Sequence, residues 1–133
     1  MTADLSAAGW SQRELPGFMR LVGPLWTRKE DGAWAYAVVS RPEHINRAGI
    51  VHGGMLMTLI DQALSAIAWE DAGRRACVTV QMDVRFLAAV QPERLIEARG
   101  RVVRRTTTLV FTEGGLSVDG ETVVTASAIS KIL

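Results

Sequence analysis

HINRAGIVHGGMLMTLIDQALS, residues 44–65, sets one carboxylate, Asp61, inside a run of apolar side chains that opens with His52-Gly53-Gly54. An ionised carboxylate among Leu and Ile side chains costs several kcal/mol unless it is paired, hydrated or used. Asp61 therefore needs a reason. The run reads as a helix that opens near Gly53-Gly54 and continues to about Asp71, with Gly73 placed to close it. Met55, Leu56, Met57, Leu59, Ile60, Ala63, Leu64, Ala66, Ile67 and Ala68 make it apolar nearly all the way round. A helix of that kind is buried on most sides.

Working outward, residues 25–29 and 33–40 are strand-like runs on either side of Asp31-Gly32, and an Asp-Gly pair in that setting is a strong hairpin signal. Residues 15–22 form a short apolar helical segment behind Pro16, closed by Gly23-Pro24. Residues 1–14 are mixed and polar and read as an N-terminal tail or a short first helix, leaving 15–133 as the domain. Beyond the helix the period changes to two. Ala76, Val78, Val80, Met82, Val84 and Phe86 share one face and Cys77, Thr79, Gln81, Asp83 and Arg85 the other, which predicts a half-buried strand packed on the helix through the first set. Further strands are expected over 95–103, over 107–113 or on to 118, and over 122–132, the last two joined by Asp119-Gly120. A hairpin, one long buried helix and an antiparallel run of strands make an α+β architecture. Either the sheet curls round the helix or a second subunit covers what the sheet leaves bare.

The composition excludes several functions. A length of 133 residues suits one domain with its own core. Fifteen basic against fourteen acidic side chains, a net charge of +1, give no nucleic-acid footprint and no anionic-membrane partner. The single cysteine, Cys77, excludes an internal disulfide and cannot by itself make a zinc site, so a reducing, cytoplasmic setting and no metal are expected. There is no membrane-span signal. Cys77 lacks a histidine to activate it, which argues against its being a nucleophile.

The spacing within 44–65 suits acyl transfer. Helix N-termini carry free N–H groups and the positive end of the helix dipole, so they favour an oxygen that is becoming negative. Gly53 and Gly54 lack Cβ, and a ligand carbonyl can approach them closely, although a glycine pair can equally serve only as the turn into the helix. Asp61 lies eight residues beyond Gly53, about 12 Å along the helix axis at 1.5 Å per residue. Reacting atoms must come within about 3–3.5 Å. If both serve one reaction, a two-fold partner with an antiparallel helix must supply the second, and the enzyme is at least a dimer with composite sites. Asp61 is either a nucleophile, giving a mixed anhydride, or a general base on water. The structural alternative is a carboxylate bonded to Thr58, Ser65 or a neighbouring strand.

Asn46, His52-Gly53-Gly54, Asp61, Thr79 and the run Val84-Arg85-Phe86-Leu87 together resemble the hotdog-fold acyl-CoA thioesterases of the phenylacetate-degradation type, over essentially residues 15–132. The joint pattern of Asn, five residues, His-Gly-Gly, six residues and Asp carries the likeness. The carboxylate is Asp here, where a branch acting on hydroxybenzoyl and related thioesters carries Glu. The resemblance implies a sheet wrapped round a central helix, a dimer that often doubles to a tetramer, and active sites at the subunit interface. It implies acyl-CoA as substrate, an aryl or medium-length acyl group, and no cofactor beyond the coenzyme A of the substrate itself. His52 would bond the thioester oxygen or hold the loop. Asn46 would place water or the carbonyl. Thr79 matches the position that orients water or the carboxylate, yet strand parity puts it on the polar face. Gly54 and Gln62 would lie against substrate. Arg99, Arg101, Arg104 and Arg105 form a basic cluster that could meet the coenzyme A phosphates, with Arg85 a similar candidate, or could be solvated strand ends. Trp10, Trp26, Trp34 and Trp69 are core or acyl-pocket walls. The alternatives are a noncatalytic acyl-CoA binding or sensor module and a hotdog dehydratase or hydratase, whose accompanying His-Phe-Pro type of loop is absent.

Overall fold

The computed structural model describes residues 2–133. In chain order the elements are α1 (Thr2–Ala7), β1 (Ser11–Arg13), α2 (Phe18–Val22), β2 (Leu25–Glu30), β3 (Ala33–Val39), a 3-10 turn at Pro42–His44, α3 (Gly53–Asp71), β4 (Cys77–Phe86), β5 (Leu95–Arg105), β6 (Leu109–Val118) and β7 (Glu121–Ile132). The seven strands form one sheet in the order β1-β2-β3-β5-β6-β7-β4, with antiparallel neighbours throughout. Both Asp-Gly pairs make the expected hairpins. Asp31 and Gly32 have φ of 48° and 85°, Asp119 and Gly120 of 50° and 81°, the left-handed pair that a two-residue hairpin turn requires. No helix among the described residues is long and apolar enough to cross a membrane.

α3 lies on the inner face of the sheet, where Leu59, Ile60, Ala63 and Leu64 are at most 1% exposed and pack with Val38, Ile96, Leu116 and Val124. The sheet can come this close because two glycines face each other across β5 and β6. Gly100 pairs with Gly114. A Cβ on Gly100 would stand 2.7 Å from the Leu64 side chain, and one on Gly114 would stand 2.3 Å from the Arg99 carbonyl oxygen. The curl suggested by the helix composition is therefore built on positions where no side chain fits. The helix ends in a Schellman closure. The Gly73 N–H reaches the Glu70 carbonyl at 3.2 Å, the Arg74 N–H reaches the Trp69 carbonyl at 2.8 Å, and Gly73 has φ of 69°.

Two readings change. Residues 1–14, read above as a tail or a short first helix, carry that helix as α1 and also join the sheet over the described part: β1 pairs with β2, and Leu5 and Trp10 are buried against Trp26, Ala35 and Ala37 on the outer face. β2 and β3 are thus covered on both sides, which is why the second reads as an unbroken apolar run rather than as an alternation. The second change concerns β4. Its register slips between Thr79 and Gln81, because Thr79 sits opposite Ser130 and Gln81 opposite Ile129, with Val80 left over as a bulge. Met82 and Val84, beyond the slip, pack on the helix as expected. Before it the faces are exchanged. Val78 and Val80 are 45% and 56% exposed, and Thr79, though exposed, turns its hydroxyl to the helix.

Candidate functional site

The first turn of α3 is held by its own N-cap. His52 has extended backbone, and its ring Nδ1 accepts the Gly54 N–H at 2.8 Å. A neutral imidazole whose Nδ1 accepts carries its proton on Nε2, so the exposed ring presents an N–H outward. The ring also explains Gly54: a Cβ there would lie 3.0 Å from His52 Nδ1. Gly54 therefore contributes shape, and its amide is not free for substrate. The Gly53 N–H has no hydrogen-bond partner among the described residues. It opens on a pocket of about 340 Å³ bordered by Asn46, Ile50, Leu56, Phe86 and Val90. Asn46 Oδ1 closes its loop by accepting the Ala48 N–H at 2.9 Å and the Ile50 N–H at 3.4 Å, an Asx turn that leaves the side-chain NH₂ unused beside that pocket.

His44, which sequence reading passed over, supports this loop from behind. It is 4% exposed. Its Nδ1 accepts the Arg41 N–H at 3.0 Å and its carbonyl accepts the His52 N–H at 2.8 Å. Burial first, and the Arg41 charge second, hold its pKa below the ordinary 6.5, so the ring stays neutral.

Asp61 sits half-buried two turns further on. Its Oδ1 accepts the Thr79 hydroxyl at 2.7 Å and lies 3.4 Å from Ser65 Oγ, and the two hydroxyls are 3.2 Å apart. With the Thr79 proton donated to Asp61, Ser65 has Thr79 or Asp61 as its acceptor. The bulge at Val80 is what brings Thr79 to the helix, and it removes the parity conflict noted above. Oδ2 has no hydrogen-bond partner among the described residues, and the residue borders a pocket of about 470 Å³ with Phe18, Met57, Gln62 and Met82. One hydroxyl therefore fixes the carboxylate through Oδ1 while its other oxygen is left unpaired. Ser65 was visible in sequence only as an i+4 neighbour of Asp61.

Gly53 and Asp61 open on different pockets of the same chain, as the helical rise requires. The side of α3 that carries Gly54, Met57, Thr58, Asp61, Gln62, Ser65 and Trp69 is not packed into the core, and Met57 and Trp69 are each 39% exposed.

Most of the basic cluster is engaged elsewhere. Arg99 bonds Glu30 at 2.8 and 2.9 Å and Glu97 at 3.0 Å. With Arg28 it holds the Glu30 carboxyl down at about 2. Arg101 pairs with Glu113, and Arg105 bonds the carbonyl and carboxylate of Asp71 at the end of α3. Arg85 and Arg104 have no ion-pair partner among the described residues, and of the cluster they alone offer an unengaged guanidinium. The tryptophans divide. Trp10 and Trp26 are core, whereas Trp34 and Trp69 line a cavity of about 810 Å³ beside Gln62 and Ser65.

Comparison with known proteins bears on the family and the fold. The sequence pattern of the thioesterase superfamily matches residues 48–125. No curated protein matches. Among solved structures, the chain is similar to the phenylacetic acid degradation protein PaaI of Thermus thermophilus, with 22% identity over 87% of this chain and 98% of that one and a TM-score of 0.76. It is also similar to a phenylacetic acid degradation-related protein of Ralstonia eutropha, with 26% identity over 99% and 91% and a TM-score of 0.69. A third, a Bacillus halodurans protein solved with CoA, shares 22% identity over 74% of this chain and 70% of that one, with a TM-score of 0.70. A sheet folded round one helix and a family pattern covering more than half of the sequence place this chain in the thioesterase superfamily, as a hotdog-fold hydrolase of thioesters.

Proposed function

We propose that the protein hydrolyses an acyl-CoA thioester, with an aryl or medium-length acyl group, in a site shared by two copies of the chain. The observation that carries this reading is the division of labour along α3: an unpaired amide at Gly53 and a carboxylate with one free oxygen at Asp61, about 12 Å apart on one rigid helix. In an antiparallel pair of such helices, the Gly53 N–H of one protomer donates a hydrogen bond to the thioester carbonyl oxygen and Asp61 of its partner faces the carbon. Acting as a base, Asp61 takes a proton from water and the oxygen adds to the carbonyl. The charge that develops on the carbonyl oxygen rests on the amide and the helix dipole. Collapse breaks the C–S bond, and the coenzyme A thiolate leaves and is protonated. Acting as a nucleophile, Asp61 forms a mixed anhydride that water then opens; the same geometry serves both routes. The outward Nε2–H of His52 and the spare amide of Asn46 lie on the carbonyl side, and Thr79 holds the carboxylate. Arg85 and Arg104 are the cations left for coenzyme A phosphates. The CoA in the Bacillus halodurans relative supports the choice of carrier.

The test is free-thiol detection over a panel of acyl-CoA esters, with the parent and Asp61→Asn. Turnover in the mutant is expected to fall at least about a hundredfold, as loss of an activating group typically gives. Unchanged turnover removes Asp61 from the reaction, and tight binding without turnover in the parent supports a binding module.

A further inference from the structure

Pro16 and Met19 border two cavities: the pocket of Asp61 and another, of about 590 Å³, that the chemistry above leaves idle. Three cations, Arg13, Arg20 and Arg41, line this second cavity against a single carboxylate, Glu14, among the described residues. Buried Met19 and half-buried Leu15 give it an apolar wall. Elsewhere arginine is engaged, and Arg94, Arg99 and Arg101 are each paired with a carboxylate. Around this cavity the valences stay open. Arg20 and Glu14 have no hydrogen-bond or ion-pair partner among the described residues, each other included. Arg13 gives Nε to Thr27 Oγ1 at 2.9 Å and keeps both terminal nitrogens unengaged.

Arg41 adds an independent sign. Its place is fixed, because Nη2 donates to the Leu21 carbonyl at 2.9 Å, Nη1 to Glu43 at 3.1 Å, and its main-chain N–H to His44 Nδ1 at 3.0 Å. Its Nε is nevertheless buried with no acceptor among the described residues. A buried donor ordinarily has a partner, and the cost of leaving it unmet is greatest on a charged group. Negative charge brought beside this guanidinium would offset that cost. Three guanidiniums against one carboxylate leave a net charge of +2 on the lining, which a phosphate monoester, carrying nearly two negative charges at neutral pH, balances. Guanidinium forks also match phosphate oxygens two at a time. The volume lies within the roughly 300–1,000 Å³ of pockets that enclose small organic ligands. We propose that this cavity is an anion site, separate from the reaction centre, for a phosphate group carried on a small apolar body, the phosphate on Arg13, Arg20 and Arg41 and the body on Leu15 and Met19.

Calorimetric titration of the full chain at pH 7.5 tests this with phenyl phosphate, inorganic phosphate and phenol. Phenyl phosphate is expected to saturate one site per chain, about tenfold more tightly than inorganic phosphate, the gain of burying the ring. Phenol should not bind. Arg20 is exposed, so its replacement leaves the core untouched. Arg20→Ala should weaken phenyl phosphate about tenfold, the worth of one charge-assisted hydrogen bond, and Arg20→Lys should recover part of the loss. Arg75→Ala, whose guanidinium rests on the Leu133 carbonyl, should change nothing. Displacement by 3′,5′-ADP, the nucleotide end of coenzyme A, assigns the site to the phosphates of the carrier. Retention of phenyl phosphate against it assigns the site to a free phosphate ester, and both results uphold the site. Binding that survives Arg20→Ala intact overturns the proposal, as does a response to phosphate no stronger than to chloride at equal ionic strength.

Discussion

The two sides of α3 differ in what they ask of the sequence. Against the sheet, Leu59, Ile60, Ala63 and Leu64 meet a surface shaped to them, down to the glycines at 100 and 114. On the other side, Met57, Asp61, Ser65 and Trp69 meet solvent, strand-borne hydroxyls or cavity. The packed side is a matter of volume and has little freedom. The open side is where polar groups keep unused valences: Asp61 Oδ2 on the helix and the Gly53 N–H at its start. A helix apolar on nearly every side is thus one that serves a core along one stripe and leaves another open, with polar groups still unpaired on it.

Substitutions on the two sides should separate stability from activity. The largest effect on stability belongs to the packed side: Leu64→Ala leaves a hole at a fully buried position and is expected to cost about 2–5 kcal/mol, read by urea denaturation. If the cost were below about 0.5 kcal/mol, the packing described at Gly100 would be wrong. On the open side Met57→Lys should leave the melting temperature nearly unchanged. It should yield a monomer in sedimentation, with thioester hydrolysis lost. A fully active monomer would end the shared-site reading.

Thr79→Val, which keeps shape and removes the hydroxyl, should lower kcat by about tenfold, the worth of one hydrogen bond to a charged group. Thr79→Ser should restore most of it. Equal activity in the Val and Ser variants would make the contact incidental. The smallest effect is expected at His44, behind the start of the helix. Its folded pKa lies below 6.5, so above 6.5 the ring is neutral in both states and no stability is lost. As pH falls through 6.5 the unfolded chain takes up the proton first, and stability declines until the folded value is reached. The urea midpoint should fall over that window in the parent and hold flatter in His44→Gln. The same slope in both would clear His44 of any part in it.

Much of this was legible in the residues. The hairpins followed from Asp31-Gly32 and Asp119-Gly120, whose backbone needs are local. The span of α3 followed from its apolar run and from Gly73. Asp61 stood out because a charge among apolar neighbours must be explained, and the separation from Gly53 follows from helical rise alone. What escaped was whatever depends on partners distant in the chain. Period two placed Thr79 outward because nothing in Val78-Thr79-Val80-Gln81 marks Val80 as surplus; only its pairing against Ser130 and Ile129 does. The engagement of Arg99 with Glu30, 69 residues away, is equally invisible along the chain. So is the burial of Trp10 beneath α1, since a short mixed segment gives no sign that it will add an edge strand.

The slip at Val80 also has a meaning for how such a chain can change. Pairing 77–79 without the slip, one residue along β7, would swap inside for outside there and leave 81–86 in place. Val78 would then turn to the helix and Thr79 to water, and the carboxylate would lose its anchor with no change in composition. Deleting Val80 would not do this, because Thr79 would stay opposite Ser130. The register of three residues thus decides which side chain reaches the carboxylate while the scaffold stays intact.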